Sequence, residues 1–291
     1  MAVRQRQADG PPLRLLSRRL GVGAAALLAA ALLGGCLGGD DGTDSADPAY
    51  TSASDGGKAD EPAADPKPAP LLGDNDRVVL IGDSLATEAP PTYADLLPAA
   101  AAKHGAEGIE TVNLAEPGTT SADWLPGTPL FDERLAPELA DADLVLITVG
   151  GNDLEAGIGA TDGVAALSTG ASSANAAFEA IEASGRNMRK TFAAIRKANP
   201  ETKIAYVAYP DYSAASAWQE NGSAATLALG VGLGALRDAA RDAGPDAVVD
   251  MLAETGAREG GVDPLLADDP EYLGPAGHRF YAERIAASLA G

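Results

Sequence analysis

Two apolar runs, Val78–Ile81 and Leu144–Val149 (the second broken only by Thr148), each stop abruptly at a glycine-containing polar turn. A strand that is apolar at consecutive positions must be buried on both faces, which happens in parallel sheets covered by helices on either side. Three more short segments read as strands: Thr111–Leu114, Lys203–Ala208 and Asp246–Asp250. Between and after them lie stretches with helical patterning, at 92–105, 130–140, 173–198, 223–243 and 275–290. On the 173–198 stretch Phe178, Ile181, Met188, Phe192 and Ile195 recur at near-helical spacing and read as a core-facing stripe. Asn199-Pro200 ends it. Strands alternating with helices predict one α/β domain, a five-stranded parallel sheet between two helical layers. In such sheets, sites form just outside the carboxyl ends of the strands.

The domain is expected to span 76–291. Residues 1–35 read as an export signal. Arg4, Arg6, Arg14, Arg18 and Arg19 precede a short apolar stretch, Ala24–Leu33, too short to span a bilayer well. Leu33-Gly34-Gly35-Cys36 follows and resembles the bacterial lipobox, in which the cysteine is lipidated and becomes the first mature residue. Ser17-Arg18-Arg19 also suggests a twin-arginine signal. Residues 36–75 are rich in Asp, Gly, Ser, Ala and Pro without apolar periodicity, the composition of a disordered tether. The expected location is therefore outside the cytoplasm, anchored to a membrane through lipid on Cys36.

The chain has 46% apolar residues, enough for a core, and a formal net charge of −21. Such acidity repels phosphate backbones and argues against nucleic acid as a partner. One cysteine excludes an internal disulfide, and two histidines leave little material for a zinc site.

Four motifs carry chemistry. Gly82-Asp83-Ser84-Leu85 follows the first apolar run, which puts Ser84 at a strand end with its own N–H available to an anion; the plain alternative is an N-cap serine. Gly118, in Asn113–Thr120, offers a backbone N–H unobstructed by a side chain, or is an ordinary turn glycine. Gly150-Gly151-Asn152-Asp153 follows the second run; its glycines permit a tight turn and its Asn152 amide is a donor, or a helix cap. Asp153 and Asp83 read as residues that order their loops. An acidic turn, Asp268-Asp269-Pro270-Glu271-Tyr272, leads to Pro275-Ala276-Gly277-His278. By contrast Gly230-Val231-Gly232-Leu233-Gly234 has the wrong spacing for a phosphate loop and follows no strand.

In order and placement these motifs resemble the four blocks of the SGNH (GDSL) hydrolase family, over residues 77–290. The resemblance implies a flavodoxin-like three-layer sandwich. It also implies ester, thioester or acetylated-carbohydrate substrates, no metal and no organic cofactor. It makes Ser84 the nucleophile and Ser84, Gly118 and Asn152 the oxyanion hole. The family's last block is Asp-x-x-His. Here Asp269 matches its aspartate, but Tyr272 stands where the family carries its catalytic histidine. A tyrosine, ordinarily ionised to about one part in a thousand at pH 7, is a poor base. His278 is the candidate substitute, although Pro275 rather than an aspartate stands three residues before it. His104 reads as a solvated residue at the end of a helix. Three functions follow: a tethered ester hydrolase with a displaced or weakened base, a non-catalytic relative that binds acylated glycans, and a cell-envelope acyltransferase. Specificity is expected in the loops 85–92, 154–172 and 211–223.

Overall fold

The computed structural model describes residues 70–158, 171–220 and 223–290. The signal segment, Cys36 and nearly all of the tether lie outside them, as does most of the expected specificity loop at 154–172. Among the described residues no helix is long and apolar enough to cross a membrane.

Five parallel strands form one sheet in the order β2-β1-β3-β4-β5: β1 Arg77–Gly82, β2 Glu110–Asn113, β3 Leu144–Thr148, β4 Lys203–Val207 and β5 Ala247–Val249. The apolar runs of β1, β3 and β4 are fully buried. β1 aligns Val78 with Leu144 and Gly82 with Thr148. Gly82 is required there, because a Cβ would sit 2.7 Å from the Thr148 carbonyl oxygen. Two helices, α1 (Tyr93–Lys103) and the C-terminal α6 (Pro275–Leu289), pack together as one layer. Two more, α3 (Ala171–Ala198) and α4 (Ser223–Asp242), pack together as the other. α1 begins with a capping box, in which Thr92 and Asp95 bond each other's backbone N–H groups. This is the flavodoxin-like order expected from the sequence, and its switch point lies between β1 and β3.

The structure adds detail that patterning missed. Gly150-Gly151-Asn152 is not an isolated turn: Gly151 opens a helix, α2 (Gly151–Ile158), within what read as a loop from 154 onward. A further helix, α5 (Met251–Gly256), follows β5. The stretch 130–140 is two successive irregular turns, a wide one at Leu130–Leu135 and a tight one at Ala136–Asp141. Pro137 has no N–H to continue the first. On α3, Ile181, Met188, Phe192 and Ile195 are buried as expected, but Phe178 is 38% exposed. At 28 residues, or about 42 Å, α3 far outreaches a five-residue strand, and Phe178 lies in its first turns. The glycines of Gly230–Gly234 serve helix packing. A Cβ on Gly230 would meet Ser213 Oγ at 2.9 Å, and one on Gly232 would meet Leu154 at 3.3 Å.

Candidate active site

The site begins where β1 ends. Asp83 is 2% exposed and caps the single turn Ser84–Ala86, its Oδ1 accepting from the Leu85 N–H at 3.1 Å. Its Oδ2 accepts a short hydrogen bond from the Tyr209 hydroxyl. Burial pushes this carboxyl up to about 6; the bonds from Tyr209 and Leu85 oppose the rise, and Asp153 adds to it. Ser84 is half-buried, and among the described residues neither its hydroxyl nor its backbone N–H has a hydrogen-bond partner.

The folded carboxyl of Asp83 therefore holds its proton to a higher pH than the unfolded one. Its contribution to stability is complete below about pH 4 and falls as pH rises to about 6, by on the order of 2–3 kcal/mol. Asp83→Asn cannot ionise. Urea unfolding at pH 4.5 and 7.5 should show the variant gaining on the parent as pH rises. A constant difference between the two proteins would mean that Asp83 does not titrate in that window.

The second block lies over the end of β1. Glu116 N–H donates to the Gly82 carbonyl at 3.0 Å, and Thr119 Oγ1 reaches the same carbonyl at 2.9 Å. Between them Gly118 adopts φ +77°, a left-handed conformation suited to glycine, with open space where a Cβ would stand. Among the described residues its N–H is unpartnered. The third block reaches across from β3. Asn152 Nδ2 donates one hydrogen to the Thr119 carbonyl at 2.8 Å, and among the described residues its second hydrogen has no partner. Asp153 orders the loop, accepting from Ser121 N–H at 2.7 Å and from Ser121 Oγ at 2.5 Å, while Asn187 supports Ser121 at 3.0 Å. Gly82, Thr119 and Asn152 are thus linked in series. Among the described residues, Ser84 N–H, Gly118 N–H and one Asn152 N–H are left as donors without protein partners, the inventory an oxyanion hole needs.

The fourth block departs from the expected triad. Tyr272 is half-buried, and its phenol is held above its ordinary value by burial and by the charges of Glu271, Asp269, Glu88 and Glu155. Glu88 lies four residues after Ser84 and Glu155 three after Asn152, so Tyr272 lies within electrostatic reach of residues that follow both blocks. Asp269 does not orient an imidazole. Its Oδ1 accepts from Glu271 N–H at 3.2 Å and so closes its own turn, while its carbonyl accepts from Tyr272 N–H.

His278, the candidate substitute base, has both ring nitrogens engaged. It is fully buried against Tyr93, and its Nδ1 accepts from the Tyr93 N–H at 3.2 Å. Nε2 must then carry the hydrogen, which it donates to the Glu88 carbonyl at 2.7 Å. Burial lowers its pKa, opposed by the Glu88 carbonyl and by Asp95. As folded, the ring has no nitrogen free for Ser84. His104, on the surface at the end of α1, pairs with Glu283 at 3.7 Å.

Sequence reasoning missed Tyr209, whose hydroxyl joins two of the blocks, and Thr119, which ties all three. A tyrosine ending an apolar strand reads as core, and a threonine in a turn carries no signal of its partner.

The family model for GDSL-like lipases and acylhydrolases matches residues 80–280. No curated protein matches the chain. Among solved structures, a lipase from a goat rumen metagenome is similar at 17% identity and a TM-score of 0.56, over 74% of this chain and 98% of that one. Phospholipase A1 from Streptomyces albidoflavus is similar at 20% identity and a TM-score of 0.53, over 74% and 99%. An extracellular lipase from Streptomyces rimosus gives 20% and 0.52, again over 74% and 99%. These likenesses are of fold, and they agree with the sheet order and layers above. With its motif blocks arrayed around the β1–β3 switch point and the family match running through all of them, the chain belongs to the GDSL-like lipase/acylhydrolase family.

Proposed function

We propose that the protein is an exported, lipid-tethered ester hydrolase in which Ser84 attacks the ester carbonyl without a side-chain base. The observation that carries this reading is that, among the described residues, Ser84 N–H, Gly118 N–H and the second hydrogen of Asn152 Nδ2 have no partner, beside a serine hydroxyl that has none either. Ser84 Oγ bonds to the carbonyl carbon and its proton passes to solvent hydroxide. The three donors take the developing oxyanion. Collapse expels the alkoxide, which takes a proton from water and restores the hydroxide, and a second water then adds to the acyl-serine, releasing the acid and returning the proton to Ser84 Oγ. An oxyanion hole and binding alone leave about 10³–10⁴-fold over the uncatalysed rate.

The test is p-nitrophenyl acetate hydrolysis by the full chain beside Ser84→Ala. The parent should show saturable turnover, at least about tenfold above the variant. Equal rates in the two proteins would sink the reading. The tether has its own test: Cys36→Ala should move the protein from the detergent phase to the aqueous phase in a detergent partition. An unchanged distribution would refute lipidation at Cys36.

A second reading has one observation in its favour. Tyr272, in the place of the family's histidine, is only half-buried, and an aromatic side chain there suits stacking on a sugar. A non-catalytic protein that binds acylated glycans would lose that binding in Tyr272→Ala and would be inert to p-nitrophenyl acetate. Acyl transfer to a sugar acceptor, the third possibility from the sequence, is separated from hydrolysis by product analysis, since a transferase yields an acylated sugar rather than free acid.

A further inference from the structure

We propose that Tyr209 is a positioning residue that ties the Ser84 turn to the Asn152 turn, so that nucleophile and oxyanion donors are held as one unit. The inference rests on the ester-hydrolase reading for its consequence in catalysis, but the tie itself is a matter of geometry. Tyr209 follows β4, next to β3 and one strand further from β1. Its hydroxyl donates to Asp83 Oδ2, and Asp83 holds the turn of Ser84 through the Leu85 N–H. The same hydroxyl oxygen accepts the Gly151 N–H at 3.0 Å, from the residue that precedes Asn152. A continuous chain of hydrogen bonds therefore runs from the end of β3, through a side chain after β4, to the end of β1. Bonds in series polarise one another and stiffen the groups at both ends.

Gly151 reports the closeness of this contact. A Cβ there would lie 2.9 Å from Tyr209 Cε1, 3.0 Å from Cζ and 3.1 Å from the hydroxyl oxygen. Gly151 does not have a positive φ, so the backbone would accept alanine; it is the phenol that would have to move. The flanks of the tie are held as well. Tyr281 Oη donates to the Ala208 carbonyl at 3.2 Å, and Tyr206 Oη donates to the Val149 carbonyl at 3.0 Å. Those two tyrosines anchor single carbonyls in the usual manner of buried phenols. Tyr209 differs in that one hydroxyl bridges a carboxylate beside the nucleophile and an N–H beside the oxyanion donor.

The test compares Tyr209→Phe, Gly151→Ala and the double variant, in the full chain. Readouts are kcat and KM on p-nitrophenyl acetate, and amide hydrogen exchange at Gly151. Tyr209→Phe should lower kcat by about tenfold or more while KM stays within about twofold, because misalignment acts on the reacting geometry rather than on binding. Gly151→Ala should do the same by displacing the phenol. The double variant should be no worse than the more severe single, because both break one contact. In Tyr209→Phe the Gly151 amide, deprived of its acceptor, should exchange at least about tenfold faster. Unchanged kcat in both single variants, or additive losses in the double, overturns the proposal. If the parent shows no Ser84-dependent turnover, the hydrolase reading fails by itself and the tie is judged on exchange alone: faster exchange supports it, and unchanged protection overturns it. Should Tyr209→Phe fail to fold, Gly151→Ala, which keeps the phenol, decides the matter through kcat.

Discussion

Tyr272→His should raise Ser84-dependent ester hydrolysis by about 10²-fold or more, the range that a positioned general base contributes. The phenol cannot take the Ser84 proton at neutral pH, because burial and four surrounding carboxylates hold it in its neutral form. The same surroundings suit an imidazole. Glu271, Asp269, Glu88 and Glu155 favour the imidazolium that forms as the serine attacks. Asp269 uses only Oδ1 to close its turn, so among the described residues Oδ2 remains available to an imidazole N–H. The backbone of the turn is already set by the bond from Tyr272 N–H to the Asp269 carbonyl, which any residue at 272 other than proline can make. The pH profile should change shape as well. The parent rate should climb with pH across the neutral range as hydroxide becomes available, whereas the variant should level off near the pKa of the new imidazole. The measurement is kcat against pH for the parent, Tyr272→His and Tyr272→His/Ser84→Ala. A gain that survives loss of Ser84 would show the new histidine acting on its own and would refute the proposed site.

The centre of the sheet was legible in the sequence because β1, β3 and β4 are buried on both faces, and Val78–Ile81 and Leu144–Ile147 carry that as continuous apolar runs. Placing Ser84 and Asn152 at strand ends followed from the same runs. Their convergence follows from the switch point, since β1 and β3 are neighbours only because the chain reverses direction across the sheet. What was not legible depends on partners distant in sequence. His278 looks available when read beside Gly277, yet its nitrogens are taken by Tyr93 and Glu88, 185 and 190 residues away. Asp269 looks like the orienting aspartate of a triad. Without a histidine to hold, it bonds the nearest donor, two residues on. Tyr209 has the local pattern of a core tyrosine, and only the approach of Gly151 and Asp83 gives its hydroxyl a role. Gly151 reads as a turn former, but the space it leaves is filled by a phenol.

Asn152→Ala should lower kcat by about 10²–10³-fold, the usual effect of deleting one oxyanion donor, or about 2.7–4 kcal/mol. The loss is best measured in the Tyr272→His background, where turnover leaves room for it to be seen. Stability should change far less. Asn152 gives one hydrogen bond to the Thr119 carbonyl, and the net worth of such a bond is about 1 kcal/mol. The Gly118 turn keeps its other anchors, because the single Thr119 Oγ1 hydrogen is still shared between the Gly82 and Glu116 carbonyls and Glu116 N–H still bonds Gly82. A small fall in the urea midpoint with a large fall in kcat and little change in KM would separate charge stabilisation from loop support. Asn152→Asp sharpens the contrast. It keeps the shape of the side chain but replaces the donor with an acceptor, so it should be at least as damaging to kcat as alanine. If either variant retained kcat within about threefold of its parent, the oxyanion would have to be held by the Ser84 and Gly118 N–H groups alone, and the amide of Asn152 would be a strut for Thr119 and nothing more.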